Sequence, residues 1–131
     1  MRMPDYEKDG WCLEDGEQLH REAPKTFLIP DLALRQILQP GDFAKLVFRI
    51  AVESEDEPCT VERMWVIIRE RVAAGYIGIL DNIPTKISEN KDFWLGTEPP
   101  FEARHIIAVD HANAESMRLA GEPAPIPWRR S

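Results

Sequence analysis

The stretch from Phe43 to Val52 constrains the fold more than any other part of the chain. Ala44, Leu46, Phe48, Ile50 and Val52 share one parity, while Lys45 and Arg49 fall on the other. Side chains of an extended strand point alternately to its two faces. Alternation of this length therefore predicts a strand with one buried face and one wet face.

The neighbouring segments give that strand partners. Before it, Pro30-Asp31 opens an apolar run of Leu32, Leu34, Ile37 and Leu38 that Pro40-Gly41 stops. Asp31 can cap the first free N–H groups and proline cannot continue a helix, so a two-turn helix is predicted over 31–38, lying on the core through its leucines. After the strand, Glu53-Ser54-Glu55-Asp56-Glu57-Pro58 forms an acidic turn. A second strand follows over about 62–71, in which Met64, Val66 and Ile68 alternate with Trp65 and Ile67. Both of its faces are apolar, which places it centrally and makes Trp65 a core residue. Ala73-Ala74-Gly75 turns the chain into a third strand, Tyr76 to Leu80. Gly78 inside it predicts a bulge or a close backbone approach. Asp81-Asn82-Ile83-Pro84 carries turn chemistry, followed by a short extended piece at 85–88, a loop at 89–100 and a last strand at 103–109.

The two ends read differently. Residues 1–29 are polar and broken by Gly10, Gly16 and Pro24; residues 111–120 can form a helix anchored by Met117 and Leu119. Pro123, Pro125 and Pro127 before Trp128 predict an extended arm that docks on the domain, docks on a partner, or stays free. The expected architecture is α+β: a small bent, mostly antiparallel sheet or partly open barrel with one or two short helices. It comprises a single domain at 1–120 with its core at 30–110, and a proline-rich tail at 121–131. Connections this short exclude the crossovers of a doubly wound sheet.

Composition narrows the function. The 131 residues carry 16 Lys and Arg against 23 Asp and Glu, a net charge of -7. A general nucleic-acid binder needs a basic surface, so the acid excess argues against one and favours a basic protein as partner. The apolar runs are too short to cross a bilayer and the first ten residues offer no signal-peptide core, so a cytoplasmic protein without membrane contact is expected. Cys12 and Cys59, the only cysteines, are expected as reduced thiols and cannot form a thiolate zinc site by themselves.

Three segments carry a family likeness: Gly41-Asp42-Phe43-Ala44-Lys45-Leu46, Glu62-Arg63-Met64-Trp65-Val66, and Gly75-Tyr76-Ile77-Gly78-Ile79-Leu80-Asp81-Asn82-Ile83-Pro84, with the His105-Ile106-Ile107 strand after them. On these residues the chain resembles the bacterial domains of unknown function that are grouped with the immunity proteins of polymorphic toxin systems. The resemblance covers about half of the chain, from Gly41 to Val109. It departs at Gly96, where Thr97-Glu98-Pro99-Pro100 stands in place of the family's Gly-Asp and apolar strand. It implies a protein that acts by binding and brings no established activity with it.

Candidate sites follow from residue type. His105, His111 and Glu102 are the one grouping with metal-site or hydrolytic potential, but without metal-ligand spacing they read as structural. No nucleophile elbow or phosphate-cradling loop occurs, so no catalytic, metal or cofactor residue is assigned. Glu53, Glu55, Asp56, Glu57 and Glu62 form an acidic set: a solvated loop that blunts a sheet edge, or a steering face for a basic partner. Phe93 and Trp94, in a polar and proline-flanked loop, are the candidate anchors, since aromatics dominate interface hot spots. The leading expectation is a non-enzymatic domain that occludes a partner through Glu53, Glu55, Asp56, Glu57, Phe93 and Trp94. The alternative is a small-ligand or regulatory domain that uses the concave face of the sheet.

Overall fold

The long alternating strand sits at the centre of the sheet. In the computed structural model, which describes residues 1–52, 58–90 and 92–129, β2 is Phe43–Ala51 and β3 is Cys59–Val72. They pair antiparallel along all of β2, from Phe43 opposite Ile67 to Ala51 opposite Cys59. The strand β4, Gly75–Leu80, returns along β3, and the two-residue β5, Pro100–Phe101, pairs with β4 at Tyr76 and Ile77. A 3-10 turn at Ala103–His105 leads into β6, Ile106–Asp110, which pairs with the first half of β2. The second half of that same β2 edge is taken by β1, Trp11–Leu13. The sheet thus curls from β2 through β5 and returns to β2 by way of β6, a nearly closed antiparallel barrel.

The α+β class is as expected, but four short helices decorate the barrel: α1 Tyr6–Asp9, α2 Gly16–Glu22, α3 Leu32–Gln36 and α4 Ala114–Ala120. Two of these, with β1, lie in the stretch that reads as irregular. Asp5 and Asp15 explain the helices, each accepting backbone N–H groups of its first turn. Trp11 extends the core beyond its expected limits, packing with Phe48 and Phe93 at centroid distances of 5.9 and 5.1 Å. Gly78 meets the close-approach expectation: a Cβ there would lie 2.9 Å from the Ile67 carbonyl oxygen and 3.0 Å from the Phe101 ring. The bulge itself falls opposite, at Arg69, between Ile68 and Glu70.

Three local expectations are corrected. First, α3 does not lie on the core through Leu32 and Leu34; of the predicted run only Leu38, just past the helix, reaches the core. Leu32, Leu34 and Ile37 are 47%, 49% and 60% exposed, whereas Arg35 is 5% exposed. The guanidinium goes inward because acceptors await it: the carbonyls of Pro30 and Ala103, each at 2.8 Å, and Glu17 at 2.7 Å. Second, Trp65 lies half-buried on the outer face, edge-on to Phe43, with Lys45 Nζ 5.6 Å from its ring. Third, His105 belongs to the 3-10 turn rather than to a strand.

The tail is not a free arm through residue 129. Ile126 bridges Thr97, and its carbonyl accepts from Glu98 N at 2.9 Å. Gly96, at φ +95°, lets the tail approach so closely that a Cβ would fall 2.8 Å from Pro125 Cγ. Trp128 then packs edge-on against Trp11 at 5.6 Å, donates from Nε1 to the Arg2 carbonyl at 2.9 Å, and is covered by the Arg2 guanidinium at 4.0 Å. The bulged Arg69 completes the clasp, bonding Glu98 and the carbonyls of Ala120 and Glu122.

Candidate functional site

Sheet parity decides which face of β3 meets the core. Met64, Val66 and Ile68 point inward, so Glu62 and Thr60 point inward as well. With Phe48, Phe93 and Trp11 these inward chains fill the concave side of the sheet. Open space is left at the barrel end where β2 and β3 join. There a cleft of about 800 Å³ is lined by Asp9 and Gly10, by Ile50, Ala51 and Val52, by Thr60, and by the loop 86–90 with Asp92 and Phe93. That volume lies within the usual range for ligand sites.

The cleft is acid-rich and partly preorganised. Among the described residues its charged lining is Asp9, Glu89 and Asp92 against Lys86. Asp9 is committed, accepting both Arg2 Nη1, at 2.8 and 3.1 Å, and the Asp5 amide at 2.7 Å. Burial alone would raise its carboxyl pKa; the Arg2 hydrogen bond and charge and the Asp5 amide outweigh that and hold it below the ordinary range. Asn90 Oδ1 accepts from Asp92 N at 2.9 Å and from Phe93 N at 2.7 Å, which fixes the loop that seats Phe93. Ile50, Ile87 and Phe93 supply apolar wall.

Glu62 follows Thr60 by two residues on the same inward face of β3. It is 9% exposed. Its Oε1 accepts from the amide and the hydroxyl of Thr85, both at 2.9 Å, while buried Oε2 receives no hydrogen bond. Buried polar atoms are nearly always paired, so an unpaired carboxylate oxygen marks a place that stability alone does not explain.

Of the residues expected to bind a partner, Glu53, Glu55, Asp56 and Glu57 lie outside the described residues. Their chain connects Val52 to Pro58, two residues held together by a Val52 N to Pro58 O bond of 3.0 Å. Val52 and Phe93 line the same cleft, which brings the origin of the acidic segment and the aromatic loop to one place. Phe93 is not an anchor for a partner, however. It is 3% exposed, at 5.1 Å from Trp11 and 5.5 Å from Phe48, and its surface is spent on the core. Trp94 is half-buried, with its amide donating to Thr97 Oγ1 at 2.9 Å. The residue that sequence reasoning missed is Glu62, grouped with the solvated acids. Its parity with Met64, Val66 and Ile68 was the signal that it points inward.

The histidines do not assemble a reactive site. His105 is 2% exposed, and its Nδ1 accepts the Glu102 amide at 2.9 Å, closing the 3-10 turn. Burial, reinforced by the Arg104 charge, lowers its pKa to about 4, so the ring stays neutral at pH 7. His111 lies exposed beyond the far end of β6. Among the described residues no group of three His, Cys, Asp or Glu side chains is arranged to hold a metal ion. Cys12 and Cys59 are free thiols on the outer face, flanking Arg49, whose Nη1 lies 3.6 Å from Cys59 Sγ. Burial and the Glu14 charge push the Cys12 thiol up, which leaves it a poor nucleophile at neutral pH.

A second cleft of about 420 Å³ beside Gln36, Arg71 and Tyr76 gathers no comparable set of groups. No helix among the described residues is long and apolar enough to cross a membrane. Comparison of the chain with family models, with curated proteins and with solved structures finds no match.

Proposed function

We propose that this domain is a binding module for a basic protein, acting by occlusion rather than by catalysis. The carrying observation is the acid-rich cleft at the β2–β3 end of the barrel, lined by Asp9, Glu89 and Asp92; in sequence, Glu53, Glu55, Asp56 and Glu57 follow Val52, which also lines it. Charge of one sign gathered at one end of a molecule steers an oppositely charged partner and speeds its association more than it tightens the complex. The net charge of -7 acts in the same direction. The likeness to immunity proteins supports a partner of toxin type, in which a basic, phosphate-binding surface is the natural target of such a face.

The test is association with a basic protein that co-purifies with this chain, comparing wild type with a Glu55→Gln, Asp56→Asn, Glu57→Gln variant. Unchanged unfolding with an association rate lowered about tenfold and a shallower salt dependence is the expected result. Equal rates and equal salt dependence in the two proteins would refute the reading. A small-ligand role in the same cleft is the second reading, favoured by the unpaired oxygen of Glu62.

A further inference from the structure

We propose that Glu62 is the receptor for a single alkylammonium or guanidinium group that enters the cleft between β2, β3 and residues 86–90, Asp92 and Phe93. The inference shares its cleft with the reading above but needs neither the acidic segment nor a protein partner.

Thr60 lines the cleft and precedes Glu62 by two residues on the same inward face of β3. Lys86 and Ile87 also line it and follow Thr85, whose amide and hydroxyl hold Glu62 Oε1. The carboxylate is therefore tied to residues that adjoin the lining on both sides, without itself belonging to it, and is fixed at one oxygen and unpaired at the other. Thr85 itself is exposed, so Glu62 is one side chain's depth from solvent.

The chemistry then selects the ligand. A carboxylate removed from water is stabilised most by a donor that carries positive charge, because charge-assisted bonds are the strong ones and screening is weakest there. Ile87, only half-buried in the lining, suits the alkyl stem that carries such a head group. Glu89 and Asp92 at the mouth favour a cation and disfavour an anion. No donor among the described residues reaches Oε2, Lys86 of the cleft lining included, and Arg2, Arg49 and Arg69 are engaged with Asp9, Glu14 and Glu98. The shared chemistry fits a lysine or arginine side chain of a bound protein and also a free amine.

The experiment is an amide-resolved NMR titration of the whole chain with butylguanidine, with its neutral counterpart butylurea, and with a short blocked peptide bearing one arginine between glycines. Saturable shifts at Thr60 and Thr85 with butylguanidine but not butylurea are expected. Shifts with the peptide as well assign the cation to a protein side chain; shifts with butylguanidine alone assign it to a free amine. In Glu62→Gln the Thr85 contacts can persist while the charge is lost, and affinity should fall about tenfold or more, against about twofold for Glu89→Gln. Absence of a saturable shift in wild type, or equal binding by Glu62→Gln, overturns the proposal. The wild-type arm decides the matter even if the variant fails to fold. Steering by Glu55, Asp56 and Glu57 is measured separately, so either idea can fail alone.

Discussion

Glu98 and Glu62 are both carboxylates taken out of water by the same barrel, and they are treated in opposite ways. Glu98, 4% exposed, faces the guanidinium of Arg69 and accepts the Trp128 amide at 3.1 Å. Its charge ties the tail to the bulge in β3. Glu62, 9% exposed, has one oxygen on Thr85 and the other on nothing. A buried ion that is paired and fully bonded belongs to the architecture. One left half-bonded is a cost that folding does not recover, and such costs collect at sites built for something else. The contrast separates an acid spent on the architecture from one left half-bonded, in a chain that has many acids.

Substitutions can break this contrast, and the largest effect is expected at Arg69. Arg69→Met takes the cation away from a buried carboxylate and cuts the links to Ala120 and Glu122, and should destabilise by about 3–5 kcal/mol in urea unfolding. Glu98→Gln keeps the shape but removes the charge, with an expected loss of about 2–3 kcal/mol. An Arg69→Met protein as stable as wild type would remove Glu98 from the structural side of the comparison.

A third buried titratable group sharpens the comparison through pH. The unfolded His105 imidazole gains its proton near 6.5, the folded one only near 4. Between those values the unfolded state binds more protons, so this contribution is fully present above pH 6.5 and is lost as pH falls towards 4. About 2 kcal/mol should disappear between pH 7 and pH 5. His105→Asn keeps an acceptor for the Glu102 amide and should flatten that slope; an unchanged slope in equilibrium unfolding would show that His105 is not its source. The smallest effect is expected at Glu62→Gln, below about 1 kcal/mol, because Oε2 makes no bond that the change can remove. The same chemical substitution at positions 98 and 62 thus reads the contrast directly.

Much of the sheet was legible because period two is a strong local signal. The strands β2, β3 and β4 lie near their expected positions, and α4 falls within 111–120. What was not legible depends on partners distant in sequence. The spacing of Leu32, Leu34 and Ile37 places a helix correctly but gives its buried face wrongly, since the acceptors of Arg35 come from Glu17, Pro30 and Ala103. The strand β1 is three residues long and is defined by pairing with β2 rather than by any pattern of its own. For the site, the loop of Phe93 and Trp94 was legible as a place but not as a role. Trp11 and Phe48, both distant in sequence, draw Phe93 inward, while the neighbouring Asn90 only holds its amide. Glu62 was within reach, because its parity is explicit in β3.

The closing of the barrel also bears on how the chain is made. The β2 edge that pairs with β6 becomes available as soon as β2 is synthesised, whereas β6 emerges only after β3, β4 and β5. Until Ile106–Asp110 leaves the ribosome, a nascent chain with its first hairpins already formed presents Phe43 to Leu46 as an unpaired edge, open to the edges of other chains. The interval between those two strands is the period in which this protein most needs protection from aggregation. Its length is set by translation rather than by the stability of the finished barrel.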